Sequence, residues 1–196
     1  MGGFFGAVSK RDCILDVFFG TDYHSHLGTR RGGMAAYDPQ LGLQREIHNI
    51  ENSPFRTKFD GILNDMKGTS AIGCISDTDP QPLLIRSNLG TYAICTIGII
   101  NNAEALFSQY LSFSGGHFEA MSGGRVNSNE LISALIDQKS SFAEGIRFAQ
   151  DMIEGTASIL ILKDDGHLIA ARDKLGRIPI ILERNEDGFC VTFEDY

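Results

Sequence analysis

The sequence predicts an α+β fold in which two sheets pack face to face and helices cover their outer sides. Strand-like segments lie near the start of the chain and again in its last quarter, and segments with helical periodicity lie between them. Two Asp-Gly pairs, at 165–166 and 187–188, separate strand-like segments of the last quarter. Grouped strands and grouped helices are typical of α+β proteins, and Asp-Gly is a strong signal for a hairpin turn.

The first half of the chain contains two predicted helices and four predicted strands. A strand over Phe4–Val8 precedes a helix that runs from an Asp12 cap to about Gly20. Helical periodicity places four apolar residues of this helix on one inward face, namely Ile14, Leu15, Phe18 and Phe19. Ser53-Pro54 starts a second helix that ends near Lys67. The next three strands are expected at Ser70–Ile75, Pro82–Ser87 and Tyr92–Ile100.

Three further helices are predicted after residue 100. Asn101–Glu104 resembles a capping box, and the helix behind it has the inward pattern Ala103, Leu106, Phe107, Tyr110 and Leu111. A loop with glycine pairs at 115–116 and 123–124 separates it from a helix that starts at Ser128. The last helix starts at a second capping box, Ser141–Glu144.

Four strands are predicted in the last quarter, at Ala157–Lys163, His167–Ala171, Ile178–Glu183 and Gly188–Phe193. The first of them is apolar on both faces, so we expect it to be covered on both sides.

Composition narrows the classes of function. The net charge of −8 disfavours nucleic-acid and anionic-membrane partners, and no apolar run approaches the ~20 residues of a membrane span. The four cysteines form no C-x-x-C pair, which disfavours structural zinc and indicates reduced thiols in a cytoplasmic protein. A chain of 196 residues suits a single domain that handles small molecules or docks to protein.

Five segments, in order, resemble one known family. Residues 2–6, Gly-Gly-Phe-Phe-Gly, are similar to the Cys-Gly-(Ile/Val)-x-Gly start of class II glutamine amidotransferases. Residues 31–36 resemble the family's Arg-Gly-Gln-x-x-Ala-Gly loop, and residues 72–82 frame its Gly-His-x-Arg-Tyr-Ser-Thr segment. Residues 98–104 resemble Asn-Gly-x-x-x-Asn-x-x-Glu, and residues 170–179 closely follow Ala-x-Arg-Asp-x-x-Gly-x-Arg-Pro. Within the family, the chain resembles the amidophosphoribosyltransferases. The resemblance implies an N-terminal-nucleophile (Ntn) hydrolase fold, a four-layer αββα sandwich of two mostly antiparallel sheets.

The resemblance also implies which positions would carry glutamine chemistry. In the family, an N-terminal cysteine attacks the glutamine amide, with its own α-amine as the base. An asparagine side chain and a glycine N–H hold the oxyanion, and an arginine and an aspartate hold the substrate. The nucleophile falls on Gly2, the arginine on Ser76, the asparagine on Ile97, the glycine on Gly98 and the aspartate on Ser128. We therefore expect no catalytic residue at these degenerate counterparts, and no cofactor or metal in this domain.

The leading hypothesis is a glutaminase-like domain over residues 1–196 that is inactive toward glutamine. The cysteine, asparagine, arginine and aspartate of the family are all absent. Their joint absence favours natural loss of the glutamine site over an engineered Cys-to-Gly change. The resemblance implies a longer chain with a phosphoribosyltransferase domain after residue 196. This longer native protein would be a cytoplasmic homo-oligomer that makes phosphoribosylamine from free ammonia, using Mg²⁺ with phosphoribosyl pyrophosphate. The alternative is a non-catalytic module that senses a small molecule, or mediates assembly, through the remnant pocket.

Other reactive residues have both a functional and a structural interpretation. Cys74 and Cys95 are candidate nucleophiles for another amide, but buried thiols in strands are the favoured interpretation. His24 and His26 precede Arg30-Arg31 and are candidate ligands of a metal or an anion, although a polar turn is favoured. Arg172-Asp173 is expected to be structural, as in the family.

Overall fold

A computed structural model describes residues 2–114, 117–122 and 124–194. Within these residues the helices are α1 Ile14–Tyr23, α2 Phe55–Phe59, α3 Ala103–Ser114, α4 Ser128–Ile136 and α5 Phe142–Met152. The strands are β1 Gly2–Ser9, β2 Arg31–Asp38, β3 Gly42–Asn49, β4 Ser70–Ser76, β5 Leu83–Ser87, β6 Gly90–Ile100, β7 Met121–Ser122, β8 Arg125–Val126, β9 Gly155–Lys163, β10 Leu168–Ala171, β11 Ile181–Arg184 and β12 Gly188–Thr192.

Two antiparallel sheets form the centre of the fold. One has the strand order β11-β12-β1-β4-β2-β3 and the other has the order β10-β9-β6-β5, while β7 and β8 form a small separate pair. Helices α1 and α2 pack on the outer face of the larger sheet, and α4 and α5 cover the smaller one. The α+β, four-layer αββα prediction is therefore confirmed.

Three hydrophobic cores lie between the successive layers of helices and sheets. The layer between the sheets contains Phe4, Ile72 and Leu160, each of which is fully buried. Burying such a side chain stabilises the fold by about 1.5–3 kcal/mol. Strand β9 is buried continuously from Ala157 to Leu162, which confirms that it is covered on both faces.

The buried face of α1 differs from the predicted one. Ile14 and Phe18 are 2% exposed, whereas Leu15 and Phe19 are 54% and 53% exposed. The inward face is completed by Val17 instead, because residues 14, 17 and 18 lie on one side of a helix with 3.6 residues per turn. The expectation that all four apolar residues point inward was therefore wrong for two of them.

Three other elements also differ from the predictions. The hairpin of β2 and β3 was not predicted, because small residues in β2 and alternating polar residues in β3 give no continuous apolar run. The helix predicted to reach Lys67 ends at Phe59 and continues only as a 3-10 turn to Asn64. Only Leu106 is buried on α3, since this helix lies at the surface and packs its aromatic rings against Phe118. The predicted glycine loop falls partly on residues 115, 116 and 123, outside the described residues.

The Arg172-Asp173 segment joins the end of β10 to β9. The buried Asp173 donates its N–H to Ser158 Oγ at 3.1 Å, and its Oδ2 accepts the N–H of Arg177 at 3.2 Å. Arg172 Nη2 donates to the Gly176 carbonyl at 2.8 Å. These contacts stay within the segment and its neighbouring strand, which supports the predicted structural role.

His24 lies in the turn after α1 and is completely buried against β1. Its Nδ1 is 2.6 Å from the Gly20 carbonyl oxygen, and its Nε2 is 3.3 Å from Thr192 Oγ1. A Cβ added to Gly3 would lie 2.7 Å from the His24 ring. The ring therefore fills space beside the first strand, and no metal-ligand cluster is found in the part of the chain that the structure describes. The same described residues contain no helix with the length and apolar character to cross a bilayer.

We predict that His24 makes the domain sensitive to mild acid. Burial lowers the pKa of His24 below its ordinary value of 6.5. Because the folded pKa lies below the unfolded one, the stabilisation is complete above pH 6.5 and is lost as the pH falls through the folded pKa. The free energy of unfolding, measured by urea denaturation, should therefore decrease below pH 6.5, by at most ~1.4 kcal/mol per pH unit from this residue.

The matched control is His167, whose side chain is 77% exposed. His24→Gln should flatten the dependence of the free energy of unfolding on pH, whereas His167→Gln should show the same slope as the unmutated chain. Equal slopes for the parent and His24→Gln would contradict the assignment.

Candidate functional site

Gly2 is the first residue of β1, and main-chain atoms close the space beside it. It is buried and pairs with Ser76 of β4. A Cβ added to Gly2 would lie 2.1 Å from the carbonyl oxygen of Ile75 and 3.2 Å from Cδ1 of Ile97. The Ile75 oxygen belongs to the strand that pairs with β1, so it cannot move aside as the end of a flexible side chain can. The structure thus leaves no room for a side chain at position 2.

Ser76 ends β4 and turns its hydroxyl into the following turn. The residue is 3% exposed, and its Oγ accepts the N–H of Thr78 at 3.2 Å. The same Oγ is 3.4 Å from the Thr78 hydroxyl oxygen. A single hydroxyl in this position cannot reproduce the two-pronged contact that an arginine makes with a carboxylate.

Ile97 and Gly98 are neighbours in β6 with opposite environments. Ile97 is 8% exposed and packs in the layer between the sheets, close to Gly2. Gly98 is exposed, and a Cβ there would lie 2.0 Å from the carbonyl oxygen of Thr156. An apolar side chain therefore occupies the position matched to an oxyanion donor, while close strand pairing requires glycine at the next one.

A cavity of about 560 Å³ opens next to Gly98. Its charged lining consists of Arg30, Asp77, Asp79, Glu104 and Arg125, and its apolar lining of Ile99, Ile100, Ala103, Phe107, Val126 and Leu131. Of the five sequence-predicted site residues, Gly98 and Ser128 line the cavity, whereas Gly2, Ser76 and Ile97 do not. The structure brings Gly2, Ser76 and Ile97 together at the start of β1.

Ser128 is the first residue of α4, and its main chain is held by a carboxylate from another segment. The N–H of Ser128 donates to Asp79 Oδ2 at 3.1 Å. Asn127 caps the same helix, because its side-chain oxygen accepts the N–H of Asn129 at 2.9 Å. A carboxylate at a helix N-terminus is electrostatically favourable. Asp79 therefore places negative charge beside Ser128.

Asp77 is held in its charged form on the same side of the cavity. Its Oδ1 accepts the N–H of Thr29 at 2.7 Å. Burial raises the pKa of Asp77, but hydrogen bonds to the carboxylate, led by the one from Thr29, outweigh burial and set the pKa below its ordinary value of 3.8. Sequence patterns give no signal for this charge cluster, because Asp77, Arg30 and Arg125 are distant in sequence.

Gln81 connects strand β6 with helix α4 through buried hydrogen bonds. It is 3% exposed, and its Oε1 accepts the Thr96 N–H at 2.9 Å and the Asn129 Nδ2 at 2.9 Å. Its Nε2 donates to the Thr96 carbonyl at 3.1 Å. A Cβ on Gly33 would lie 1.9 Å from the Gln81 carbonyl oxygen. This buried network joins β6, β2 and α4, so it positions the cavity, and sequence patterns gave no signal for it.

The cysteines proposed as alternative nucleophiles are inaccessible. Cys74 and Cys95 are completely buried in the layer between the sheets, and Cys74 Sγ lies 3.3 Å from the Gln81 carbonyl oxygen. Burial raises the pKa of Cys95 and raises the pKa of Cys13 to about 12. Because the thiolate is the reactive form, these environments favour inert, buried side chains.

Comparisons with known proteins agree with this architecture. A family model described as a glutamine amidotransferase domain matches residues 69–194. The amidophosphoribosyltransferase of Methanocaldococcus jannaschii is 25% identical over 204 residues, which cover 100% of this chain and 42% of that protein. The amidophosphoribosyltransferase of Archaeoglobus fulgidus is 25% identical over 175 residues, 86% of this chain and 37% of that protein.

A solved structure shows the same fold. Glutamine phosphoribosylpyrophosphate amidotransferase from B. subtilis, complexed with ADP and GMP, superposes with a TM-score of 0.82 at 25% identity, over 97% of this chain and 41% of that one. The chain thus spans about two fifths of the length of these relatives. The family model covers more than half of the chain, and the chain belongs to the glutamine amidotransferase domain family, of the type found in amidophosphoribosyltransferase-like proteins.

Proposed function

We propose that this domain does not hydrolyse glutamine and serves as a scaffold within an amidophosphoribosyltransferase-like protein of purine biosynthesis. One observation carries the proposal: the position matched to the nucleophile is Gly2, and a Cβ there would lie 2.1 Å from the main-chain oxygen of Ile75. Loss of a thiol alone would leave an empty space beside β1. Here the paired main chain of β4 occupies that space.

The remaining positions support the same conclusion. Attack on an amide builds negative charge on the carbonyl oxygen, and one side-chain donor to that oxygen contributes ~3–4 kcal/mol to the transition state. Ile97 offers no such donor, and Ser76 directs its only hydroxyl to Thr78. The protein would therefore offer glutamine no nucleophile, no side-chain donor to the oxyanion and no arginine to bind the substrate carboxylate.

The role of the longer native protein is inferred from its relatives. The curated relatives are amidophosphoribosyltransferases that extend well beyond the matched region. We infer that the native protein pairs this domain with a phosphoribosyltransferase domain that uses Mg²⁺ and phosphoribosyl pyrophosphate. Without glutamine hydrolysis in this domain, the amine would come from free ammonia or from a separate ammonia-producing protein. The domain would then contribute to folding and assembly.

We predict that neither the parent chain nor Gly2→Cys releases glutamate from glutamine. The new thiol would collide with the Ile75 oxygen, and Ser76 and Ile97 would remain. A coupled glutamate assay measures the reaction, with a boiled sample as the blank. Mass spectrometry should establish removal of the initiator methionine, and circular dichroism should establish folding. Turnover by the parent chain above the blank would overturn the proposal, and turnover by Gly2→Cys alone would show that only the nucleophile is missing.

The cavity supports a second candidate function, recognition of a small molecule other than glutamine. Arg125 lines the cavity and is exposed, and its side chain has no hydrogen bond or ion pair within the described ranges 2–114, 117–122 and 124–194. Asp77 and Asp79 line the same cavity, so both signs of charge surround an apolar floor. This arrangement suits a ligand that carries both an anionic group and a polar or cationic one.

A thermal-shift screen of amino acids, sugar phosphates and purine nucleotides tests this candidate. A ligand at about 100 times its Kd should stabilise the fold by ~2.7 kcal/mol and raise the Tm. Arg125→Ala should abolish the shift, whereas Arg45→Ala, at an exposed position on β3, should preserve it. A shift that survives Arg125→Ala would exclude this cavity as the site. If no compound in the panel raises the Tm, the scaffold function is favoured.

A further inference from the structure

Three Asp-Gly pairs occur in the chain, at residues 60–61, 165–166 and 187–188. In such a pair the main-chain nitrogen of the glycine can attack the side-chain carboxyl of the aspartate, because glycine has no Cβ to hinder the approach. A carbon–nitrogen bond forms, one carboxyl oxygen leaves as water, and the product is a cyclic succinimide. Water then opens the ring at the main-chain carbonyl, and the chain continues through the aspartate side chain as isoaspartate. The reaction is spontaneous, so the surroundings of each pair decide where it occurs.

Hydrogen bonds hold the pair at 165–166 in an unreactive form. The N–H of Gly166 donates to the Lys163 carbonyl at 3.0 Å, and Asp165 Oδ1 accepts the N–H of His167 at 3.1 Å. Asp165 Oδ2 is paired with Lys163 Nζ, and this contact holds the pKa of Asp165 below its ordinary value of 3.8. A carboxyl must be protonated for its oxygen to leave as water. Both the nitrogen and the carboxyl of this pair are therefore engaged elsewhere.

The pair at 187–188 is also held on both sides. The N–H of Gly188 donates to Asn185 Oδ1 at 2.7 Å, and Asp187 Oδ2 lies 2.8 Å from Arg11 Nε. The carbonyl of Asp187 accepts the N–H of Lys10 at 2.9 Å. To form a succinimide here, the turn between β11 and β12 would have to break its contacts with the segment that follows β1.

The pair at 60–61 has none of these restraints. Asp60 is exposed, and its carboxylate makes no hydrogen bond or ion pair with the residues of 2–114, 117–122 and 124–194. Gly61 is exposed, and a Cβ there would meet nothing within 4 Å. Both residues lie in the 3-10 turn Asp60–Asn64 that follows α2. Such turns are short and have poor hydrogen-bond geometry, and short exposed segments open at a low free-energy cost.

We propose that Asp60-Gly61 is a site of spontaneous isoaspartate formation, and that its conversion loosens α2 from the larger sheet. The reactive geometry at this pair requires the opening of one surface turn. At the other two pairs it requires the loss of hairpin contacts and of an ion pair. The fold therefore concentrates the reaction at one of three pairs that have the same two residues.

The effect on α2 follows from the buried side chains on either side of the pair. Phe59 is completely buried and stacks on Phe55, with ring centroids 4.2 Å apart. Ile62 and Leu63 pack against the same core after the pair. Isoaspartate adds one carbon atom to the main chain between Phe59 and Ile62. Because protein interiors are close-packed, the longer main chain must displace one of these anchors.

Incubation of the purified chain for several weeks at neutral pH and physiological temperature tests the proposal. Trypsin places the three pairs in separate peptides, residues 59–67, 164–172 and 185–196. Methylation by protein L-isoaspartyl methyltransferase measures isoaspartate in each peptide, and mass spectrometry locates it. Peptide 59–67 should accumulate isoaspartate at least about tenfold faster than the other two, which corresponds to an opening free energy lower by about 1.4 kcal/mol.

The matched control is the same incubation in urea. Unfolding removes the contacts of Asp165 and Asp187, so the three peptides should then convert at similar rates. Asp60→Glu should abolish isoaspartate in peptide 59–67, because the longer side chain would have to close a larger and less readily formed ring. Asp187→Glu should leave the rate in that peptide unchanged.

The melting temperature tests the effect on α2. The incubated unmutated chain should lose at least about 2 °C in Tm, whereas incubated Asp60→Glu should keep the Tm of its fresh sample. Equal rates for the three peptides in the folded chain, or no isoaspartate in peptide 59–67, would overturn the assignment of the site. Isoaspartate at residue 60 without a change in Tm would overturn the loosening of α2. None of these results bears on glutamine hydrolysis, so this proposal and the proposed function fail independently.

Discussion

The close pairing of β1 with β4 is the constraint on which the rest of the structure depends. These two strands lie in the middle of the six-stranded sheet, and their register places Gly2 opposite Ser76. Phe4 of β1 then enters the layer between the sheets, where it is completely buried. The pairing is tight at its first residue because glycine has no Cβ there. The same contact leaves no room for a side chain at position 2, which is the position that the resemblance matches to the nucleophile.

Buried hydrogen bonds and close strand pairing order the structure around this point. Gln81 links the segment after β4 to β6 and α4 through buried hydrogen bonds. Gly98 permits close pairing with β9. Asp79, which lines the cavity, holds the first turn of α4. These contacts are what the proposed role of the domain as a scaffold requires.

Sequence patterns predicted the elements whose environment is local and strongly periodic. The Asp165-Gly166 and Asp187-Gly188 hairpins, the α4 helix and the Ser141 cap of α5 are all found in the structure. Patterns failed where tertiary contacts decide the outcome. Leu15 and Phe19 were expected inside, since periodicity identifies apolar residues but cannot decide which face of a helix that is apolar all round meets the sheet. The positions matched to the site were located by family motifs, whereas the closure at Gly2 depends on a main-chain atom more than 70 residues away.

The most direct test of the closed site is the cost of adding one methyl group at position 2. Gly2→Ala should lower the free energy of unfolding by about 1–3 kcal/mol, the usual cost of overpacking. Gly61→Ala is the matched control, because a Cβ there meets nothing within 4 Å and the backbone has no positive φ. That variant should be neutral or stabilising by up to about 1 kcal/mol. Urea unfolding of both variants decides the question. If Gly2→Ala is as stable as Gly61→Ala, position 2 has room for a side chain and the account of a closed site is wrong.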